Sequence, residues 1–238
     1  MRAAIDADQV LFDFDGAWRT TAETVLNREL PKRNNRYHLM ARYGLSMKEY
    51  HKCWAMFHAL EMWRHCPAIP DALDTVHGWL DMGHEVFVIS AVDTPARKLR
   101  QQAMDELGLR RASLMAVGSK GSKYHALKGL RPVFYADDLW RHCQEAIDAG
   151  VPHVVRVSGG HDGDGDPIPG VRVVDSIGVA PCKEVFCVER LDRKVANARE
   201  ERADGYATDR AGNCGPDGWQ CHDGAPGNGR ARKAGPCH

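Results

Sequence analysis

The chain has no excess of charge of either sign, because its 32 Lys and Arg residues balance its 32 Asp and Glu residues. Zero net charge argues against a surface built to bind nucleic acid or an acidic membrane, although it still permits a small basic patch. The sequence also lacks an apolar run long enough to cross a bilayer, and residues 1–8 do not resemble a signal peptide. We therefore expect a cytoplasmic protein with no membrane partner.

The chain has no Cys-x-x-Cys pair, the spacing that is typical of zinc sites, although it contains eight cysteines. Five of these cysteines lie in the last quarter together with two histidines, at Cys182, Cys187, Cys214, Cys221, His222, Cys237 and His238. This quarter is rich in Gly, Asp, Arg and Pro and poor in large apolar side chains. The composition favours a loosely ordered extension at residues 179–238, with free thiols, over a zinc site.

Short apolar runs without helical periodicity recur in residues 1–178 and predict buried parallel strands. These runs lie at residues 9–15, 85–90, 113–117, 132–137 and 153–157, with a short edge strand at residues 171–174. Helical spacing of apolar residues, together with capping signals, predicts helices at residues 70–82, 94–107 and 138–149. Strands that alternate with helices predict an α/β fold with a doubly wound parallel sheet.

Residues 17–67 interrupt this alternation and predict a helical insertion directly after the first strand. Ser46 and Glu49 form a capping box, which starts a long, aromatic-rich helix that extends to Trp63. Further helices are expected near residues 21–30 and 35–43. The aromatic side chains of the insertion are expected mainly to pack against one another.

Two carboxylates end the first predicted strand, in the run Val10-Leu11-Phe12-Asp13-Phe14-Asp15-Gly16. Because side chains alternate along a strand, Asp13 and Asp15 are expected on the same side, at the edge of the sheet where open α/β folds bind ligands. Two carboxylates this close repel each other unless a cation or a shared proton relieves them. Mg²⁺ suits such a pair, since it binds a few carboxylates and keeps water ligands.

The ends of other predicted strands carry residues that suit a phosphate group. These are Ser90 and Ala91 after the second strand, and Asp137 and Asp138 after the fourth. A lysine between these strands could neutralise phosphate at the start of a short helix. Lys123 is the first choice for this role and Lys120 is the alternative.

This order of residues resembles the four motifs of the haloacid dehalogenase-like (HAD) phosphohydrolase superfamily. The likeness covers residues 9–157 and rests on Asp13-Phe14-Asp15-Gly16, Ser90, Lys123 and Asp137-Asp138. Ala17 departs from it, because Thr or Val is more usual there. The helical insertion stands where the superfamily has its type 1 cap, and the approaches to the second and fourth motifs are similar to those of deoxyribonucleotidases.

The resemblance implies a role for each of these residues. Asp13 would attack phosphorus and form an aspartyl-phosphate, while Asp15 would transfer the proton. The phosphoryl group would be held by Ser90, Ala91 and Lys123. The ligands of Mg²⁺ would be Asp13, the backbone of Asp15, Asp137 and Asp138.

The resemblance also favours a nucleoside monophosphate as the substrate. Cap aromatics such as Tyr37, Tyr50 or Trp54 would stack on its base, and Arg19 would contact a phosphate or pair with an acidic residue of the cap. The first alternative is a polynucleotide 3′-phosphatase that acts on a nucleic-acid end. The second is a non-catalytic protein that binds a phosphate ligand on the same scaffold.

Overall fold

The computed structural model of the chain describes residues 1–179. The rest of the predicted C-terminal extension, including the cysteines and histidines considered for zinc, lies outside the described residues. Within residues 1–179, every helix is too short or too polar to cross a membrane.

The described residues contain one sheet of six strands, all of which pair in parallel. In chain order these are β1 Arg2–Ile5, β2 Glu85–Ser90, β3 Ser113–Ala116, β4 Phe134–Asp137, β5 His153–Val157 and β6 Arg172–Val174. Their order across the sheet is β3-β2-β1-β4-β5-β6. Strands β2 to β6 lie within two residues of the predicted ones, and the doubly wound α/β fold predicted from the sequence is confirmed.

Helices connect the strands and cover both faces of the sheet. They are α1 Phe14–Leu26, α2 Leu39–Tyr43, α3 Met47–Ala59, α4 Met62–His65, α5 Pro70–Asp81, α6 Thr94–Glu106, α7 Tyr124–Leu130 and α8 Trp140–Asp148. The side chains of Ala3 and Ile5 pack in the same cluster as α5 and α6, whereas Ala4 packs with α7 and α8. This alternation buries β1 on both faces, as expected for a central parallel strand.

The first predicted strand is wrong, because β1 lies before residues 9–15. Val10, Leu11 and Phe12 are fully buried, yet they form a tight loop between β1 and α1. The backbone N–H groups of Leu11 and Phe12 both donate to the carbonyl of Ala7, at 3.0 and 2.9 Å. The apolar run therefore reflects burial of a loop rather than a position in the sheet.

The helical insertion consists of α1 to α4 and lies between β1 and α5. The Ser46–Glu49 capping box at the start of α3 is confirmed. The single long helix predicted up to Trp63 is wrong: α3 ends at Ala59, and Glu61 takes a left-handed conformation with φ of 52°. The aromatic rings pack on one another as expected; for example, Phe14 stacks on Trp63 with ring centroids 5.5 Å apart.

Candidate active site

Two carboxylates meet where the strand order reverses direction. From β1 the chain continues to β2 and β3 on one side, and it then crosses to β4 on the other side of β1. Open α/β sheets bind ligands at such a switch point, beyond the carboxyl ends of the strands. Asp6 directly follows β1, and Asp137 is the last residue of β4. The N–H of Asp6 donates to the carbonyl of Ala136 at 2.8 Å, which brings the two carboxylates side by side.

A third carboxylate and one ammonium group join them. Carboxylate oxygens of Asp6, Asp137 and Asp138, here called the carboxylate cluster, lie within 4.8 Å of one another. The Nζ atom of Lys123 lies 2.5 Å from Asp6 Oδ1 and 2.7 Å from Asp137 Oδ2. All four side chains are buried, so their charges interact with little screening by water.

The carboxylate cluster holds more negative charge than Lys123 can balance. Burial raises the pKa of Asp6 well above its usual range, and the nearby carboxylates add to this against the opposing effect of Lys123. Burial and the neighbouring Asp137 likewise raise the pKa of Asp138. Burial alone would lower the pKa of Lys123, but the carboxylates of Asp137 and Asp6 raise it, so the ammonium group stays charged. Three carboxylates against one ammonium make a donor set that fits a hard divalent cation such as Mg²⁺.

Lys123, rather than Lys120, reaches the carboxylate cluster. Lys123 is fully buried at the start of α7, and its N–H donates to the Glu145 carboxylate at 2.8 Å. Lys120 is exposed in the preceding turn. Of the two lysines that the sequence left open, Lys123 is therefore the one that contacts the carboxylate cluster.

Ser90 contributes a hydroxyl group that has no partner among the described residues. It ends β2, the strand beside β1, and it is fully buried. A buried hydroxyl without a hydrogen bond costs about 1–3 kcal/mol, which a hydrogen-bonding group beside it would offset. Ala91, which follows it, lines the cavity described below.

His161 contacts Asp138, one of the three residues of the carboxylate cluster. Its Nε2 lies 2.8 Å from Asp138 Oδ2, and its Nδ1 accepts the N–H of Gly163 at 3.0 Å. Burial lowers the pKa of His161 to about 4, with help from Arg42 and Arg156, so the imidazole is neutral at pH 7 and donates through Nε2. This contact orients the Asp138 carboxylate.

Asp8 lies two residues beyond Asp6 and faces the same space. Its side chain is 25% exposed and lines the cavity. The guanidinium group of Arg100 pairs with one of its carboxylate oxygens. Asp6 and Asp8 therefore form the Asp-x-Asp pair that follows the central strand.

Asp13 lies at the start of α1 and not, as predicted, at the end of the first strand. Asp13 is exposed, caps the start of α1 by accepting the N–H of Gly16 at 3.0 Å, and does not line the cavity. Its predicted position at a strand end is wrong because residues 9–15 are not a strand. Helix capping is the role that its contacts show.

Asp15 and Arg19 also lie on α1 rather than after a strand. The Asp15 carboxylate is buried and already saturated by Arg42 at 2.7 Å, Lys32 at 2.8 Å and the Tyr43 hydroxyl at 2.9 Å. Burial tends to raise the pKa of Asp15, but Lys32 and Arg42 outweigh it and lower the pKa below its ordinary value. Arg19 is exposed and does not line the cavity, so the structure does not bring it to the site.

A cavity of about 680 Å³ opens above the carboxylate cluster. The strand ends and their loops contribute Asp6, Asp8, Ala91, Lys123, Asp138 and His161. The insertion contributes aromatic rings, from Phe14, Tyr37, Tyr50, Trp54 and Trp63. The three aromatic residues predicted to face a substrate are therefore brought to the site.

Sequence reasoning missed four residues of this site. Asp6 and Asp8 carried a signal, because Ile5-Asp6-Ala7-Asp8 has the same Asp-x-Asp spacing after a short apolar run. His161 and Arg100 carried none, since their contacts with Asp138 and Asp8 span 23 and 92 residues. Contacts at such separations are set by the fold.

No protein-family model matches the chain, and no curated protein sequence matches it. Solved structures do. CbbY from Rhodobacter sphaeroides in complex with phosphate is 16% identical with a TM-score of 0.50, over 74% of this chain and 94% of that one. A variant of CbbY in complex with xylulose-1,5-bisphosphate is 14% identical, with the same TM-score and coverage. A predicted phosphoglycolate phosphatase from Haemophilus somnus is 14% identical with a TM-score of 0.50, over 73% and 93% of the two chains. At this identity the likeness shows the fold.

Proposed function

We propose that the chain is a magnesium-dependent phosphomonoester hydrolase of the HAD-like superfamily, with Asp6 as its nucleophile. The observation that carries the proposal is the buried carboxylate cluster beside Lys123, at the switch point of the sheet and open to a cavity. The reaction inferred from the sequence is kept, but Asp6 replaces Asp13 and Asp8 replaces Asp15.

The reaction has two halves. In the first, a carboxylate oxygen of Asp6 bonds to phosphorus while the bond from phosphorus to the leaving oxygen breaks, and Asp8 gives its proton to that oxygen. The products are an alcohol and an aspartyl-phosphate on Asp6. In the second, Asp8 takes a proton from water as the water oxygen attacks phosphorus. This step releases phosphate, restores the Asp6 carboxylate and returns Asp8 to its protonated form.

The other residues of the site position the phosphoryl group and balance its charge. The Lys123 ammonium lies within hydrogen-bond distance of Asp6, and the free Ser90 hydroxyl lies at the end of the adjacent strand. Asp6, Asp137 and Asp138 would hold Mg²⁺, which supplies positive charge to the transferring phosphoryl group. Preorganised charges of this kind stabilise the transition state without rearrangement.

The cavity favours a nucleoside monophosphate as substrate. Its size is ordinary for a small-molecule site, and aromatic rings of the insertion line it together with the carboxylates. Arg42, which lies among them, already has three acceptors: Nε donates to the Arg36 carbonyl, Nη1 to Asp15 and Nη2 to the Tyr37 carbonyl. A leaving group that contains an aromatic ring, such as a nucleoside, can stack on these rings.

Phosphate release from a panel of esters tests the proposed function. The panel contains nucleoside monophosphates, sugar monophosphates and bisphosphates, and oligonucleotides with a 3′-phosphate, each with Mg²⁺ and with a chelator. We expect Mg²⁺-dependent release that is fastest from nucleoside monophosphates and is lost in Asp6→Asn. Preference for the oligonucleotides would establish a nucleic-acid end as substrate instead. No release from any ester, with tight binding of one of them, would show a non-catalytic phosphate-binding protein.

Tyr37 offers a test of base stacking. It lines the cavity and the residue is 42% exposed, so Tyr37→Leu is expected to fold normally. Stacking on a base contributes about 1–3 kcal/mol, so the KM for nucleoside monophosphates should rise about fivefold or more, while that for ribose 5-phosphate stays unchanged. Met47→Ala, at a residue exposed outside the cavity, is the control. An equal change for both substrates would argue against stacking by Tyr37.

A further inference from the structure

Arg100 is a buried cation beside the proposed site whose burial is not explained by packing alone. It lies on α6 and is fully buried, and Asp8 is its ion-pair partner among the described residues. Its Nε and Nη1 atoms have no hydrogen-bond partner there. Burying a guanidinium group with one counter-charge and two unused nitrogens gives little or no gain in stability over an apolar side chain of the same size.

Two aromatic rings contact this guanidinium group. Its Cζ atom lies 4.3 Å from the centre of the Phe12 ring and 5.3 Å from that of Trp63. Phe12 belongs to the loop that follows β1, and Trp63 belongs to α4 of the insertion. The cation therefore contacts both the loop that carries Asp8 and the insertion that lines the cavity.

No second anion pairs with Arg100 among the described residues. The nearby Cys66 thiol stays protonated at neutral pH, because burial raises its pKa to about 12. Asp8 is therefore the only carboxylate among the described residues that pairs with Arg100, and the Cys66 thiol is a neutral neighbour. Arg100 binds Oδ1, and no other described residue hydrogen-bonds to the Asp8 carboxylate.

This arrangement divides the two oxygens of Asp8 between two tasks. Oδ1 is held by Arg100, so rotation of the carboxylate is restricted. Oδ2 stays free, on a side chain that is one quarter exposed and lines the cavity. A proton carrier needs one oxygen that faces the leaving group in a fixed direction.

We propose that Arg100 is a positioning residue that aims the free oxygen of Asp8 at the leaving oxygen of the substrate. The inference rests on the proposed function, in which Asp8 protonates that oxygen. It assigns Arg100 no contact with the substrate and no proton of its own. Its effect must therefore depend on how much the leaving group needs a proton.

The test compares phosphate esters whose leaving groups differ in that need. A dinitrophenolate is a stable anion and leaves without a proton, whereas the leaving oxygen of a sugar phosphate must be protonated as it departs. We measure kcat/KM, which reports the first half of the reaction, for the wild type and for Arg100→Met and Arg100→Lys. Arg100→Met replaces the guanidinium with an apolar side chain of similar size, so it is expected to fold. Arg100→Lys retains a positive charge and replaces Arg100→Met in the comparison if that variant does not fold.

Arg64→Met is the matched control. Arg64 also joins α4 to α6, through an ion pair with Glu106, but it is partly exposed and lies outside the cavity. It is expected to leave kcat/KM unchanged for every ester. A loss in this control equal to that in Arg100→Met would assign the effect to helix packing and overturn the proposal.

We expect Arg100→Met to lower kcat/KM about 100-fold for alkyl phosphates and less than about threefold for dinitrophenyl phosphate. Adding Arg100→Met to Asp8→Asn should cause no further loss, because the two residues act through one step. Equal losses for all esters, or additive losses in the double variant, would overturn the positioning role while leaving the hydrolase assignment intact. A wild type that releases phosphate from none of the esters would overturn both.

Discussion

Asp6 and Asp137 lie side by side at the carboxyl ends of β1 and β4, and the Lys123 ammonium bridges them at 2.5 and 2.7 Å. The strand order brings this pair to the switch point of the sheet, which is where open α/β folds bind ligands. Asp138 adds a third carboxylate. The resulting charge imbalance is the feature from which the proposed metal site and phosphoryl chemistry follow.

Asp15 is expected to support stability rather than catalysis. Asp15→Asn removes one partner of a buried ion pair with Arg42, which costs about 3 kcal/mol and lowers Tm by roughly 6–12 °C. The folded variant should keep its kcat, because both Asp15 oxygens are bound by side chains of the insertion. Thermal unfolding and steady-state kinetics check this pair of outcomes. A normal Tm with a lost kcat would return Asp15 to the catalytic role that the sequence suggested.

The same residue predicts a dependence of stability on pH. The pKa of Asp15 is lowered in the folded chain from an ordinary value of 3.8. Its contribution is therefore fully present above that value and is lost as the pH falls through the lower, folded-state pKa. The difference in unfolding free energy between the wild type and Asp15→Asn should be constant near neutral pH and shrink below about pH 4. Denaturant titrations at several pH values measure it; a difference that grows on acidification would contradict the ion pair.

Lys123 and Lys120 should respond very differently to the same substitution. Lys123→Met removes the only ammonium group that contacts the carboxylate cluster among the described residues, and we expect a loss of kcat of about 100-fold or more. Lys120→Met changes an exposed turn and should leave kcat within about twofold. Phosphate release under saturating substrate checks both. Equal activity of the two variants would remove Lys123 from the phosphate site.

His161 is expected to set the affinity for the metal through Asp138. Residues that orient a metal ligand typically contribute 10–100-fold to metal affinity, so His161→Ala should raise the Mg²⁺ concentration for half-maximal activity by about tenfold or more. His153→Ala, at an exposed position on β5, is the control. Mg²⁺ titration by calorimetry gives an independent readout. An unchanged Mg²⁺ requirement would mean that Asp138 needs no support from His161.

The sheet was largely predictable because its strands are short apolar runs separated by helical segments. The ends of β2 and β4 were located to the residue, and this is why Ser90, Asp137 and Asp138 fall where the sequence expected them. Lys123 was the preferred lysine because a short helix was predicted to begin there, and α7 does begin at the next residue. Local pattern was sufficient wherever a strand end alone positions the side chain.

The first strand was missed for a physical reason. Arg2–Ile5 is short and contains two alanines, which have low strand propensity, whereas the stronger apolar run at residues 10–12 is buried in a loop. Because the stronger run was predicted as the first strand, the Asp-x-Asp pair was assigned to Asp13 and Asp15 at the start of α1 instead of Asp6 and Asp8. Residues that reach the site from other elements, such as Arg100, depend on contacts that no local pattern contains.

The position of the covalent phosphate tests most directly whether Asp6 is the nucleophile. After brief incubation with substrate and an acid quench, borohydride reduction converts a phosphorylated aspartate to homoserine, and peptide mass spectrometry locates it. We predict homoserine at residue 6 in the wild type and in Asp13→Asn, and none in Asp6→Asn. Homoserine at residue 13 that is lost in Asp13→Asn and retained in Asp6→Asn would show that Asp13, and not Asp6, is the nucleophile.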